Sequence, residues 1–207
     1  MRKTLVLSVA AVLAVAIVFA SQSVAEEKAG KTAKVGQPAP AFALEDQNGK
    51  IHSLSDYAGK VVVLEWFNAD CPYVVRHHKN DLNTMRDLEK KYADKGVVWL
   101  AVNSGHDTAN EKNRETAEKW EIGYPILNDA SGETGKAYGA KTTPHMYIID
   151  QDGKLVYAGG IDDDRDNNKS KGEKTNYVDR ALSEVLAGET VSQAETRPYG
   201  CTVKYGR

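Results

Sequence analysis

Val61-Val62-Val63-Leu64-Glu65-Trp66-Phe67 constrains this chain more than any other stretch. A continuous run of β-branched and large apolar side chains has no polar face to offer water, so it reads as a strand buried on both faces of a sheet. The run breaks at Asn68-Ala69-Asp70, and Cys71-Pro72 then opens a stretch with apolar residues at helical spacing. A buried strand therefore delivers a thiol to a helix N-terminus. Unpaired backbone N–H groups and the positive end of the helix dipole meet there and favour thiolate over thiol. Cys71 is the first candidate for chemistry, against the plainer use of a free cysteine as a small buried hydrophobe.

The N-terminus carries a second strong pattern. Arg2 and Lys3 precede an uncharged apolar run from Leu5 to Ala20, and Ser23-Val24-Ala25 supplies small residues for cleavage. This is the three-part pattern of a secretory signal, with the mature chain beginning at Glu26. A membrane anchor is the competing reading, but the apolar run is short for a spanning helix. Setting aside 1–25 leaves 182 residues with 25 Lys and Arg against 29 Asp and Glu, a size suited to one domain and a balance that does not suggest nucleic acid. Both cysteines, Cys71 and Cys201, would reach an oxidising compartment, periplasmic or extracellular, where only one intramolecular pairing is open to them. No membrane contact is expected after cleavage.

Along the mature chain, 26–34 reads as a flexible lead-in, 35–187 as the domain and 188–207 as a C-terminal tail carrying Cys201. Asp46-Gln47-Asn48-Gly49 joins Phe42–Leu44 to Ile51–Leu54 as a hairpin, since Asn-Gly tolerates positive φ. Val74, Val75, His78, Leu82, Met85, Leu88 and Tyr92 mark one face of a single helix running to about Lys95 and stopped by Gly96. Val97–Val102 is a second doubly buried strand, and a helix covers Glu111–Trp120. Tyr124–Leu127 is a short extended piece and Gly132–Tyr138 a short helix. His145–Ile149 and Leu155–Gly159 pair across an Asp-Gly turn, and Tyr177–Leu186 is a terminal amphipathic helix. Two buried strands joined by a helix imply a parallel pair, and the later hairpin adds antiparallel strands. The fold class is α/β: a mixed central sheet flanked by helices, with an N-terminal β-hairpin and the C-terminal tail.

A reactive cysteine at the end of a central strand and a Thr-Pro before a later one resemble the thioredoxin fold. More narrowly, the chain is similar to the exported redoxin group of peroxiredoxin-like thioredoxin-family proteins. Four pieces carry the resemblance: Leu64-Glu65-Trp66 with Cys71-Pro72-Tyr73-Val74; Gly96-Val97-Val98-Trp99-Leu100; Ala137-Tyr138-Gly139 through Thr142-Thr143-Pro144-His145-Met146; and Pro198-Tyr199-Gly200-Cys201-Thr202-Val203-Lys204-Tyr205. The resemblance implies a thiol–disulfide oxidoreductase in which Cys71 attacks, Glu65 is a buried proton relay with a raised pKa, and Thr143 and Pro144 form the loop that meets the substrate backbone. Its partners would be protein thiols and disulfides or small thiols, with no dissociable cofactor. Val74 stands where the second cysteine of a Cys-x-x-Cys would be, so a mixed disulfide must be resolved elsewhere. Cys201 is then the expected resolving thiol, on a tail folded back to Cys71. The alternative is a structural Cys71–Cys201 staple in a non-catalytic binding module.

A peroxide reductase is the other enzymatic reading. The Pro-x-x-x-Thr-x-x-Cys pattern of peroxiredoxins is not met, with Leu64 and Asn68 at the positions seven and three before Cys71. His77 and His78 raise a copper site, but one thiolate with two histidines is a poor soft-metal set; His78 is read as helix-face packing and His77 as solvated, with no metal expected. Asp162-Asp163-Asp164-Arg165-Asp166-Asn167-Asn168 with Glu173 has calcium-loop spacing but lacks the central Gly, and reads as a structureless, solvated acidic loop.

Overall fold

The computed structural model describes residues 32–79, 82–170 and 172–206. The expected signal segment, 1–25, and most of the lead-in lie outside the described residues. Among the described residues no helix is long and apolar enough to cross a membrane.

The opening hairpin forms as its turn chemistry requires, β1 (Ala43–Asp46) against β2 (Ile51–Ser53), with Gly49 at φ 85 in the turn. β3 (Val61–Trp66) is buried along its whole length. It runs parallel to β4 (Val97–Asn103), and β5 (Ile126–Asn128) continues the sheet in parallel on the other side of β4. β7 (Met146–Ile149) lies antiparallel to β3, and β8 (Leu155–Gly159) closes the far edge. The seven strands follow the order β2-β1-β5-β4-β3-β7-β8, so β3 sits inside the sheet with a partner on each side.

Alternation along β3 then sorts its side chains. Val61, Val63 and Phe67 face a core that also holds Cys71, Val74 and Met85, together with Trp120, Ala181 and Leu182. Val62, Leu64 and Trp66 face the opposite core, shared with Phe42, Tyr138 and Val203. Helices α1 (Pro72–His78), α2 (Thr84–Tyr92), α3 (Asn110–Trp120) and α5 (Tyr177–Leu186) cover the first face, and α4 (Glu133–Tyr138) the second. This is the expected mixed sheet flanked by helices.

Two expectations are corrected. The single helix to Lys95 is two helices. α1 ends at Lys79, whose backbone is extended, and α2 starts after Asn83, which takes the left-handed conformation at φ 38; a one-turn 3₁₀ segment, Ala93–Lys95, then leads to Gly96 at φ 78. Apolar spacing continued in phase across the break, so periodicity alone could not reveal it. The stretch from Asp162 is not solvated throughout either: Asp162 and Asp164 are buried, and Lys174 stands 2.8 Å from Asp164.

The tail does not trail off. Ala158 N–H donates to Ala194 O at 3.0 Å, Val191, Tyr199 and Val203 are buried, and β9 (Cys201–Thr202) pairs antiparallel with β6 (Thr142–Thr143) as a separate two-stranded ladder.

Candidate active site

Cys71 caps α1. Its backbone is extended at φ −84, ψ 119, Pro72 occupies the first helical position where no N–H is needed, and the Cys71 carbonyl accepts the first intrahelical bond from Val75 at 2.9 Å. The side chain is buried, and its thiol donates to the Thr143 carbonyl at 2.9 Å. The peptide bond that follows, Thr143–Pro144, is cis. β9 sets Cys201 opposite Thr143 in register, so the two cysteines meet across one backbone strand although 130 positions separate them. Both are unbonded thiols in this structure.

Their proton affinities are pushed apart. Burial opposes ionisation of Cys71, but hydrogen bonds to its sulfur from the Cys201 and Thr143 side chains and from the Val74 and Cys201 backbone outweigh it, and its pKa lies below the usual thiol value. Burial and the neighbouring Cys71 raise Cys201 to about 11, with the Lys204 ammonium opposing. One sulfur is thus disposed to be the nucleophile and the other to hold the proton.

Glu65, fully buried in β3, lies on the same face of the sheet as Val74 and Cys71. A buried carboxylate is tolerated only with partners, and it has three: Oε1 meets His78 Nε2 at 2.6 Å, and Oε2 accepts from Trp99 Nε1 at 3.1 Å and Tyr124 hydroxyl at 3.0 Å. His78 is on the packed face of α1, as expected, and its ring answers Glu65, a pairing that no local sequence signal announced.

His77 corrects the reading that it is solvated. It is fully buried, and its Nε2 lies 3.0 Å from the Tyr199 hydroxyl. Burial, reinforced by the Arg76 guanidinium, holds its pKa down at about 3, so the ring is neutral. Arg76 donates to the same hydroxyl at 3.0 Å and to the carbonyls of Asp164 and Arg165, while Tyr199 donates to Asp162. This buried polar knot ties α1, five and six residues past Cys71, to the tail two residues before Cys201. Gly200 completes the approach: its φ is 144, and a Cβ there would stand 2.0 Å from the Thr143 carbonyl oxygen.

The model of the family described as Redoxin matches residues 34–175. The chain belongs to the Redoxin family. The match includes Cys71, Glu65, Thr143 and Pro144, and ends before the tail. Among relatives of this redoxin, the thiol-disulfide oxidoreductase ResA of Geobacillus thermodenitrificans is 35% identical over 121 residues, which are 58% of this chain and 66% of that protein. Two solved structures support the fold. An uncharacterized conserved protein from Geobacillus kaustophilus shares 31% identity at a TM-score of 0.75, over 84% of this chain and 93% of that one. The thioredoxin domain of a thiol-disulfide oxidoreductase from Bacteroides vulgatus shares 22% at 0.54, over 61% and 89%. The fold is thioredoxin-like.

Proposed function

We propose that this redoxin is an exported thiol–disulfide oxidoreductase in which Cys71 is the nucleophile and Cys201 the resolving thiol. The observation that carries the reading is the pairing of β9 with Thr142–Thr143, which seats Cys201 beside Cys71 where a Cys-x-x-Cys protein would have a cysteine at Val74. The names of relatives such as ResA support the reaction class, and the signal pattern of residues 1–25 supports export.

The Cys71 thiolate attacks a disulfide sulfur, and the substrate leaves one thiolate behind it. Cys201 then gives up its proton and attacks the Cys71 sulfur. The Cys71–Cys201 disulfide forms, the second substrate thiolate departs, and two electrons have passed from the cysteines to the substrate. Glu65 relays protons to and from this pair, held by His78, Trp99 and Tyr124. Thr143 and Pro144 present the backbone against which the reacting sulfur lies.

Trapping tests the reading. Cys201→Ser, expressed in the native compartment, accumulates mixed disulfides through Cys71, and Cys71→Ser in the same background removes them; absence of Cys71-dependent adducts overturns it. The mass of the mature N-terminus, expected to begin at Glu26, tests export.

A further inference from the structure

The backbone edge nearest Cys71 is already occupied. Thr142–Thr143, whose carbonyl receives the Cys71 thiol, is an edge on which an extended peptide could add as a strand. Cys201–Thr202 fills it in antiparallel register, Val203 N–H extends the ladder to Lys141 O at 3.1 Å, and Gly200 is packed onto the Thr143 carbonyl too closely for a side chain.

What stays open is a cavity of about 300 Å³ lined mostly by polar residues, beside the two cysteines rather than around them: neither lines it, but residues just before Cys71 and just after Cys201 do. Asn68–Asp70 lead directly into Cys71, and Lys204 follows Cys201 by three positions, held by its carbonyl to His106 N–H at 3.0 Å. Asn113, from α3, forms part of the wall and is 2% exposed. Its amide orientation follows from its neighbours. Asn103 Oδ1 accepts from Gly105 N–H at 3.3 Å and Thr108 hydroxyl at 2.9 Å, so Asn103 Nδ2 is the donor to Asn113 Oδ1 at 3.0 Å. Asn113 Nδ2 is left without an acceptor. A buried donor in that state carries an uncompensated desolvation cost, which a ligand oxygen would relieve.

The cavity wall also carries one cation without an ion-pair partner among the described residues. Asp70 is matched by Lys112 at 2.6 Å, and Asp107 stands 4.0 Å from the His106 ring. Lys204 forms no ion pair among the described residues, and its ammonium is close enough to act on the Cys201 thiol. Among the buried or cationic groups of the wall, Asn113 Nδ2 and Lys204 are thus donors without a partner, while the exposed Asp107 has only the His106 ring beside it.

We propose that this cavity binds the polar end of a low-molecular-weight disulfide bearing a carboxylate, of the cystine or glutathione type, and that such compounds rather than extended peptides are the substrates of the site. The proposal rests on the oxidoreductase reading above. The carboxylate meets Lys204 and a carbonyl or carboxylate oxygen meets Asn113 Nδ2. Cys71 attacks one sulfur and the first RS⁻ leaves, protonated from solvent. Cys201 displaces the second, which takes the proton Cys201 releases, giving two RSH and the Cys71–Cys201 disulfide.

The test is single-turnover oxidation of the reduced, full mature chain by oxidised glutathione, by uncharged hydroxyethyl disulfide and by an extended peptide disulfide. Each rate is divided by that disulfide's rate with a free dithiol. The expected result is a normalised rate for oxidised glutathione at least tenfold above the other two, with Lys204→Gln lowering that preference at least fivefold. Equal normalised rates, a faster peptide, or a preference untouched by Lys204→Gln overturns the proposal. Failure of all three to oxidise Cys71 overturns the oxidoreductase reading as well.

Discussion

At the scale of single residues, the candidate site sets two identical thiols in surroundings that give them different proton affinities. Cys201 donates to Cys71, which stabilises the thiolate of one and the thiol of the other. Ultraviolet titration of the reduced chain should therefore show two thiolate steps, one below the ordinary thiol range and one near pH 11. Replacing Cys201 by Ala removes the later step and moves the earlier one upward, since Cys71 loses a hydrogen-bond donor; a Cys71 step that does not move sinks this account. The sequence announced Cys71 through a local signal, a buried strand meeting a helix start, and Glu65 through a charge set in an apolar run. Nothing comparable announced His77 and Tyr199, which meet across 122 positions. Their partnership is written only in the tertiary fold, and a histidine beside an arginine on a short helix looks solvated until a tail covers it.

At the scale of elements, the decisive one is the two-residue strand β9. The strands, the hairpins and the terminal helix were legible because each is fixed by periodicity or turn chemistry within its own stretch. β9 has no such period; it exists because Thr142–Thr143 offers an edge and because Tyr199 is anchored on α1 and the acidic loop. The same anchoring explains why Asp162 and Asp164 go inside while their neighbours stay out: Lys174, Tyr199 and Arg76 answer them. Gly200 makes the ladder geometrically possible. Gly200→Ala places a Cβ 2.0 Å from the Thr143 carbonyl at a φ that disfavours a side chain, so the expected cost is roughly 1–3 kcal/mol. Hydrogen exchange should localise the damage, with protection lost at Val203 and retained at Val63. Protection retained at both would mean that the tail finds another seat.

At the scale of the whole molecule, buried titratable groups bear on its acid tolerance and, on the proposed Cys71–Cys201 pairing, the two cysteines bear on its redox energetics. His77 and His145 are held near pKa 3 by burial, the first aided by Arg76 and the second by Lys141. The unfolded chain, with ordinary histidines near 6.5, binds more protons between these values, so their stabilising effect is complete above about pH 6.5 and is lost as pH falls toward 3. Between pH 7 and pH 5 each should cost roughly 1–2 kcal/mol. Denaturant unfolding at the two pH values measures the loss, and His77→Gln should show a smaller one. Oxidation adds a second coupling. Closing a loop across 130 positions restricts the unfolded chain, and in the chain-entropy model stabilises the folded form by about 5 kcal/mol. The gap realised between oxidised and reduced protein reports how much better the native structure holds the two thiols together than the unfolded chain does. Loosening the tail must therefore shrink the gap. Tyr199→Phe keeps the ring packed against Tyr73 but strands His77, Arg76 and Asp162, so it should destabilise the reduced protein by roughly 1–3 kcal/mol and the oxidised protein by more. Equal losses in the two forms would show that β9 alone places Cys201, with the buried knot contributing only bulk stability.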